Sequence, residues 1–324
     1  MITILRHLLL AAALAASSAG AQSSYPSQPI KLVVGFAPGG STDQIARVVA
    51  EGMSKRMNQS VVVENRPGAS GNIAAGQVAR AAGDGYTLLL TAVGLATTAA
   101  FNPSILQAHP SKDLASIALL AYTPNVLLAS PSTGFSSVAD AVAYGKKNPG
   151  LLSFGHSGYG GGLHLSGEVF ALKSGVKMTQ VPYKGAAPMM ADLLAGHIQL
   201  GWDNASTALP MIRSGKVRAL AIAAAERSPE LPDVPTFKEL GMRDMEFGAW
   251  FGLSGPASLP PELAQEIAAH VDAVLDDPAV QERVKAVGIS TLKSQSPAEF
   301  AAYVEADIER WTTIVKQANV KPEK

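Results

Sequence analysis

"PIKLVVGFAPGGSTDQIARVVAEGMSKRM", Pro29 to Met57, holds the reading that decides the fold. Residues 29–36 are an apolar run of strand length. In residues 41–57, Ile45, Val48, Val49 and Met53 follow the i, i+3, i+4, i+8 spacing of an amphipathic helix. A glycine-rich turn joins the two. Strand, tight turn and helix make the first half of a βαβ unit.

The same alternation continues outward. "SVVVENR" (60–66) and "YTLLLTA" (86–92) predict strands, with a helix over "NIAAGQVARAA" (72–82) between them. These strands are nearly continuous in apolar residues, which indicates a parallel sheet covered by helices on both faces. "IALLAYTPNVLLAS" (117–130) contains two apolar runs broken at Thr123-Pro124, where the chain is expected to cross to a second α/β set. In that set, helices at 136–147, 163–173, 188–195 and 205–213 alternate with strands at 151–155, 178–183, 198–202 and 217–224. A strand at 250–256 and helices at 261–275, 278–286 and 297–318 then lead back to the first set, and Pro260-Pro261-Glu262 marks a helix start. The expected fold is α/β with two lobes, each a mostly parallel sheet flanked by helices. Two chain crossings give a hinge and a cleft between the lobes. The expected bounds are 22–122 with 229–324 for one lobe and 123–228 for the other.

Met1 to Ala21 is set apart. Arg6 and His7 precede the apolar run Leu8 to Ala16, and Ala19-Gly20-Ala21 follows as a small-residue cleavage pattern. This predicts a secretory signal peptide and a mature chain from Gln22 that lies outside the cytoplasm. No cysteine occurs anywhere, so the fold is held by its core rather than by disulfides. Formal charge is zero over the whole chain, which excludes the basic footprint of a nucleic-acid binder.

Three strand-to-helix turns could carry chemistry. The first is "GFAPGGSTDQ" (35–44), where Phe36, Pro38, Gly39, Gly40, Ser41 and Asp43 sit before or on the helix N-terminus. Ser41 and Gln44 have capping-box spacing. Free N–H groups there would suit an anion, and an ordinary capped turn reads equally well. The turn is neither a Walker A loop nor G-x-G-x-x-G, and no cofactor is expected. The second is "VPYKGAAPMM" (181–190), with Tyr183, Lys184, Gly185, Ala186, Ala187 and Pro188; Pro188 suits the first helical position. Lys184 is either a solvated side chain or a holder of a carboxylate. Met189, Met190, Leu193 and Leu194 follow helical spacing and are expected in the core. The third is "SFGHSGYGGGLHLSGE" (153–168). Gly155-His156-Ser157 resembles the start of a G-x-S-x-G nucleophile elbow, but Tyr159 stands where the second glycine belongs. A secreted serine hydrolase using Ser157 is therefore the alternative function. No cysteine nucleophile exists, and no His/Asp/Glu cluster has metal-ligand spacing. Asp203 ends a strand, where ligand-facing residues of α/β sheets gather, or it caps the helix that follows; Asn204 competes for the cap.

"GFAPGGSTDQIAR", "VVVENRPGASGNIAAGQVARAAGDGYTLLL", "VPYKGAAPMMADLLAGHI" and "SGKVRALAIAAAERSPELPDVPTFKELG" occur in order. Together they resemble the Bug family of periplasmic solute-binding proteins, the extracytoplasmic receptors of tripartite tricarboxylate transporters. The resemblance runs from about Tyr25 to the C-terminus. It implies a two-lobed type II periplasmic-binding fold that delivers a small carboxylate to integral membrane transporter subunits. It implies that the turns Phe36–Asp43 and Tyr183–Pro188 grip a ligand carboxylate from opposite lobes, and that Ser157, Tyr159 and Gly160 line the other side with His164 just beyond. It assigns ligand choice to Asp203 and the segment near Thr91. His156, Tyr159 and the third glycine depart from the commoner small-residue turn, so aromatic acids join the aliphatic ones as candidates. No enzymatic activity is expected.

Overall fold

The computed structural model describes residues 25–320 and 322. The expected signal peptide lies outside them.

Five strands build the first half of the sheet: β1 (Ile30–Val34), β2 (Val61–Asn65), β3 (Thr87–Ala92), β9 (Gly248–Pro256) and the front of β4 (Leu114–Ala129). β2, β1 and β3 pair in parallel, and β9 runs antiparallel between β3 and β4. From Asn125 onward β4 changes partners and lies between β7 (Leu200–Asn204) and β8 (Arg218–Ile222). β7, β5 (Leu152–His156) and β6 (Met178–Pro182) then pair in parallel. The short β10 (Ser290–Thr291) pairs with β4.

The two apolar runs of 117–130 are thus one strand. Thr123-Pro124 is not a break but the point of transfer: Pro124 is the last residue paired with β9, and Asn125 the first paired with β7. Pro lacks an N–H, so a ladder bond is absent where the strand changes sheets. The return crossing lies alongside. Asn125 N donates to Phe247 O, Phe247 N to Ala223 O and Ala223 N to Asn125 O, each at 2.8–2.9 Å. Both chain crossings are therefore bonded side by side.

Helix α1 (Ser41–Met57) buries Ile45, Val48, Val49 and Met53 as its spacing requires, and ends at Asn58 in the left-handed region. Next come α2 (Asn72–Ala79), α3 (Val93–Phe101), α4 (Val138–Lys147), α5 (Gly162–Ser174), α6 (Ala186–Ala195) and α7 (Ala205–Arg213). The C-terminal helices are α8 (Pro261–Leu275), α9 (Pro278–Lys285) and α10 (Pro297–Ala318). α3 was not foreseen. Its residues are buried nearly all round, so it carries no polar stripe to reveal a helical period. α8 packs on α1, and α10 lies against α3, β4 and α5. Trp311 of α10 stacks on Phe247 at 5.4 Å, and Trp311 and Trp250 both donate to buried Asp307.

Two local expectations are corrected. Pro188 is the third residue of α6 rather than the first, because Gly185 (φ 123°) turns the chain early and Ala186 opens the helix. Leu194, placed in the core with Met189, Met190 and Leu193, is 37% exposed, since its position turns toward solvent.

Candidate ligand cleft

The turn after β1 is built around Asp43. Gly40, not Ser41, occupies the N-cap of α1, and no side chain caps the helix. Ser41 is the first helical residue, so the capping box with Gln44 does not form; instead Gln44 N donates to Gly40 O at 3.0 Å. Asp43 reaches back and takes the N–H of Gly39, which lies at φ 87° where only glycine is unstrained. Its oxygens also accept from Arg47 Nε and Nη2 and from Asn65 Nδ2, at 2.9–3.0 Å. Burial raises its pKa, but the hydrogen bonds from Arg47, Gly39 and Asn65 outweigh that and hold it below the usual value. Asn65 Nδ2 also donates to Phe36 O. Gly35 passes so close to Gly71 that an added Cβ would sit 2.5 Å from its Cα. The turn is thus pinned from below. The N–H groups of Ser41, Thr42 and Asp43 open the helix with no partner inside it. Pro38 and Gly39 are exposed.

Across from it stands the end of β7. Ser41 Oγ donates to Asn204 Oδ1 at 3.0 Å, which joins the first α/β set to the second. Asn204 is the N-cap of α7 by position, yet its side chain does not cap. Asp203 plays part of that role: its Oδ1 accepts from Asn204 N at 2.8 Å and Thr207 Oγ1 at 2.7 Å. Its Oδ2 is buried without a hydrogen-bond partner among the described residues. Burial therefore pushes the Asp203 carboxyl up to about 6, with the bonds from Thr207 and Asn204 opposing.

The turn after β5 is filled with rings. His156 and His164 are buried, with ring centroids 4.6 Å apart. Tyr159 packs on His164 at 4.8 Å and, edge-on, against Phe101 of α3 at 5.4 Å. Ser70 Oγ donates to Tyr159 O at 3.4 Å, a second contact between the two sets. Ser70 follows Ala69, and both have positive φ (54° and 47°) in the β2–α2 loop. Gly160 is buried, and its N–H donates to His164 Nδ1 at 3.2 Å. Burial, helped by neighbouring His156, lowers the His164 pKa to about 3; burial lowers that of His156 as well. His156 Nδ1 is bonded to Gly158 O and its Nε2 to Gln180 Oε1. No hydrogen bond joins half-buried Ser157 to either ring among the described residues. No Ser–His pair is therefore formed among the described residues.

The turn after β6 is held to β5, with Tyr183 N donating to His156 O at 2.9 Å. Tyr183 Oη donates to Asp192 at 2.7 Å, and burial followed by that bond raises its pKa to about 12. Lys184, Ala187 and Pro188 are exposed; Gly185 and Ala186 are half-buried. No hydrogen bond joins this turn to the 36–43 turn among the described residues. Thr91 is buried and donates to Ser254 Oγ at 2.6 Å, so its hydroxyl hydrogen is spent between β3 and β9. The structure thus brings Ser41 to the Asp203–Asn204 corner, and Tyr159 and Gly160 to α3 and the 68–71 loop. Sequence reasoning named Asn204 only as a candidate cap and missed Asn125 and Ser70. "NRPGASGN" signals a turn, but nothing in it says which strand end it will face.

Two α/β sets joined by paired crossings make a two-lobed fold, and the Ser41–Asn204 bond brings the start of α1 to the start of α7. The chain belongs to the family described as Tripartite tricarboxylate transporter family receptor, whose profile matches residues 45–320. The chain is 33% identical to Protein BugT of Bordetella pertussis over 304 residues, 92% of this chain and 91% of that one. An R. palustris protein solved with adipate superposes with a TM-score of 0.88 at 35% identity, covering 92% of this chain and 100% of that one. MatC from Rhodopseudomonas palustris, solved with bound malate, gives 0.84 at 33% identity, covering 90% and 100%. The Bug resemblance and the solute-receptor function expected from sequence are borne out. No helix among the described residues is long and apolar enough to cross a membrane.

Proposed function

We propose that this receptor holds a small carboxylate between lobes formed by 22–122 with 229–324 and by 123–228, in the periplasm, and passes it to integral membrane subunits of a tripartite transporter without chemical change. The observation that carries the reading is the 3.0 Å approach of Ser41 to Asn204, which sets the N-terminus of α1 against that of α7. Helix N-termini favour anions by about 0.3–1 kcal/mol each when exposed and up to about 2 when partly buried. Bonds from N–H groups to a charged acceptor add about 1.5–3 kcal/mol each, enough together for micromolar binding. Adipate and malate in the two relatives are of this chemistry. The turn 36–43 supplies N–H donors, and Ser157 a hydroxyl that has no hydrogen-bond partner among the described residues. Lys184 offers the full positive charge among these turns, and Asp203 sets which distal groups are admitted.

Thermal shift and calorimetry with adipate, malate, aromatic acids and a neutral sugar test this. Carboxylates are expected to raise Tm, by mass action on the folded state. A shift with the sugar and none with any acid, on refolded protein free of carried-over ligand, sinks the proposal.

A further inference from the structure

We propose that Asn204 is a closure latch, a positioning residue that ties the ligand-gripping end of α1 to the hinge; this rests on the receptor reading above. Its side chain bonds in both directions. Asn204 Oδ1 accepts from Ser41 Oγ at 3.0 Å, and its Nδ2 donates to Asn125 Oδ1 at 2.9 Å. Asn125 Nδ2 donates to Ser166 Oγ at 3.0 Å, and Ser166 Oγ donates to Gly162 O at 2.7 Å, in the first turn of α5. Asn125 and Ser166 are 1% and 0% exposed, so the chain of bonds is sheltered from competing water.

Placement gives this chain its meaning. Asn125 is where β4 leaves β9 for β7, and its backbone bonds to Phe247 and Ala223 in the return crossing. The Asn204–Asn125–Ser166 links lie within the second lobe and at the hinge, so they persist when the lobes part. The Ser41 link crosses the cleft and forms only when they meet. Asn204 is thereby preset, its amide oriented by the hinge with the acceptor facing the first lobe. Ser41 is the first residue of α1, so forming this bond brings the N–H groups of that helix to the place where the second lobe ends. A helix N-cap residue ordinarily bonds its own helix; Asn204 makes no such bond. Its side chain is committed to the bridge instead.

The latch acts on closure without ligand, so it stabilises a closed form that a ligand then finds preformed. The test uses unliganded protein. The chain has no cysteine, so two spin labels attach cleanly to Arg80→Cys and Lys147→Cys, both exposed, one on each side of the cleft. Double electron–electron resonance reads the interlobe distance. Asn204→Ala and Ser41→Ala are each expected to lower the closed-to-open ratio about five-fold, the effect of one lost hydrogen bond. The double variant is expected to lower it no further than either alone. Ser41→Ala keeps the α1 backbone and stands in should Asn204→Ala fail to fold. Distance distributions matching the unsubstituted chain in the folded variants overturn the proposal, as do effects that add in full. A purely structural Asn204 would lower Tm and leave the distances unchanged. Because no ligand is present, failure here leaves the carboxylate assignment standing, and failure of that assignment leaves the latch measurable.

Discussion

Asp43 and Asp203 are the same side chain at nearly the same burial, 3% and 1% exposed, at strand-to-helix junctions on opposite lobes. Their environments differ in donors. Asp43 is met by Gly39, by Arg47 twice and by Asn65, so both of its oxygens are used and its carboxylate is held ionised. Asp203 is met by Asn204 and Thr207 on one oxygen only, and its other oxygen is bare. Burial pushes both pKa values up; donor count decides which one rises. The first aspartate therefore builds a braced turn, and the second leaves a buried oxygen without a partner among the described residues where β7 meets α7. In the proposed receptor, the braced turn would hold the common carboxylate and the Asp203 corner would judge the remainder of the ligand.

The sharpest way to break this comparison is Asp43→Ala. It strands the Gly39 N–H, the Asn65 amide and the Arg47 fork together. An expected loss of about 3–4 kcal/mol follows from removing a charged acceptor of several hydrogen bonds. Urea unfolding checks it, and a loss below about 1 kcal/mol would show that the turn is held by other means. The acid limb gives an independent view. The folded pKa of Asp43 lies below its unfolded value, so the stability it contributes is complete above about pH 4 and lost as pH falls further.

Asp203→Asn comes next and has the opposite sign. With a folded pKa near 6 and an unfolded one near 4, the native state keeps a proton that the unfolded chain has released. Stability from this group is full below about pH 4, falls as pH rises to about 6, and is lower by roughly 3 kcal/mol above that. Asparagine cannot titrate, so its thermal melts are expected to lose this decline between pH 4 and 7. Superimposable pH profiles for the two proteins would mean that water or a neighbouring donor already satisfies Oδ2.

The contrast between the two aspartates explains what the sequence could disclose. Ile45, Val48, Val49 and Met53 repeat at helical spacing because their packing partners lie on one side, so α1 was legible. α3 was not, because Val93, Leu95, Ala96 and Thr98 are buried on every side and burial without contrast leaves no period. The 123–124 crossing was legible as Thr-Pro in an apolar run, but the continuity of β4 through it was not, since Pro removes one bond and keeps the extended path. The family resemblance implies that the 36–43 turn meets the ligand; that Arg47 and Asn65 surround Asp43 depends on where β2 comes to rest. The Ser41–Asn204 bond spans 163 positions, and no local pattern reports such a distance.

The third test concerns the aromatic wall. Tyr159 is half-buried against Phe101 and His164, so Tyr159→Ala is expected to cost about 2 kcal/mol in stability. It is also expected to change the order in which acids bind. An unchanged order in calorimetry would reduce the ring to a cover over α3.

The smallest effect is expected at Lys184. The side chain is exposed and makes no ion pair among the described residues. An exposed charge near a bound anion is worth about 0.3–1 kcal/mol, so Lys184→Ala should weaken carboxylate binding about two- to five-fold at low salt. At 1 M salt the Debye length is about 3 Å and the two proteins should bind alike. A thousand-fold loss, or a loss indifferent to salt, would move the main grip from the backbone N–H groups of α1 to this one side chain. The Asp43-braced turn would then be a scaffold rather than a hand. Lys184 is thus the control that decides whether the donors arranged by Asp43, or a single exposed cation, recognise the ligand.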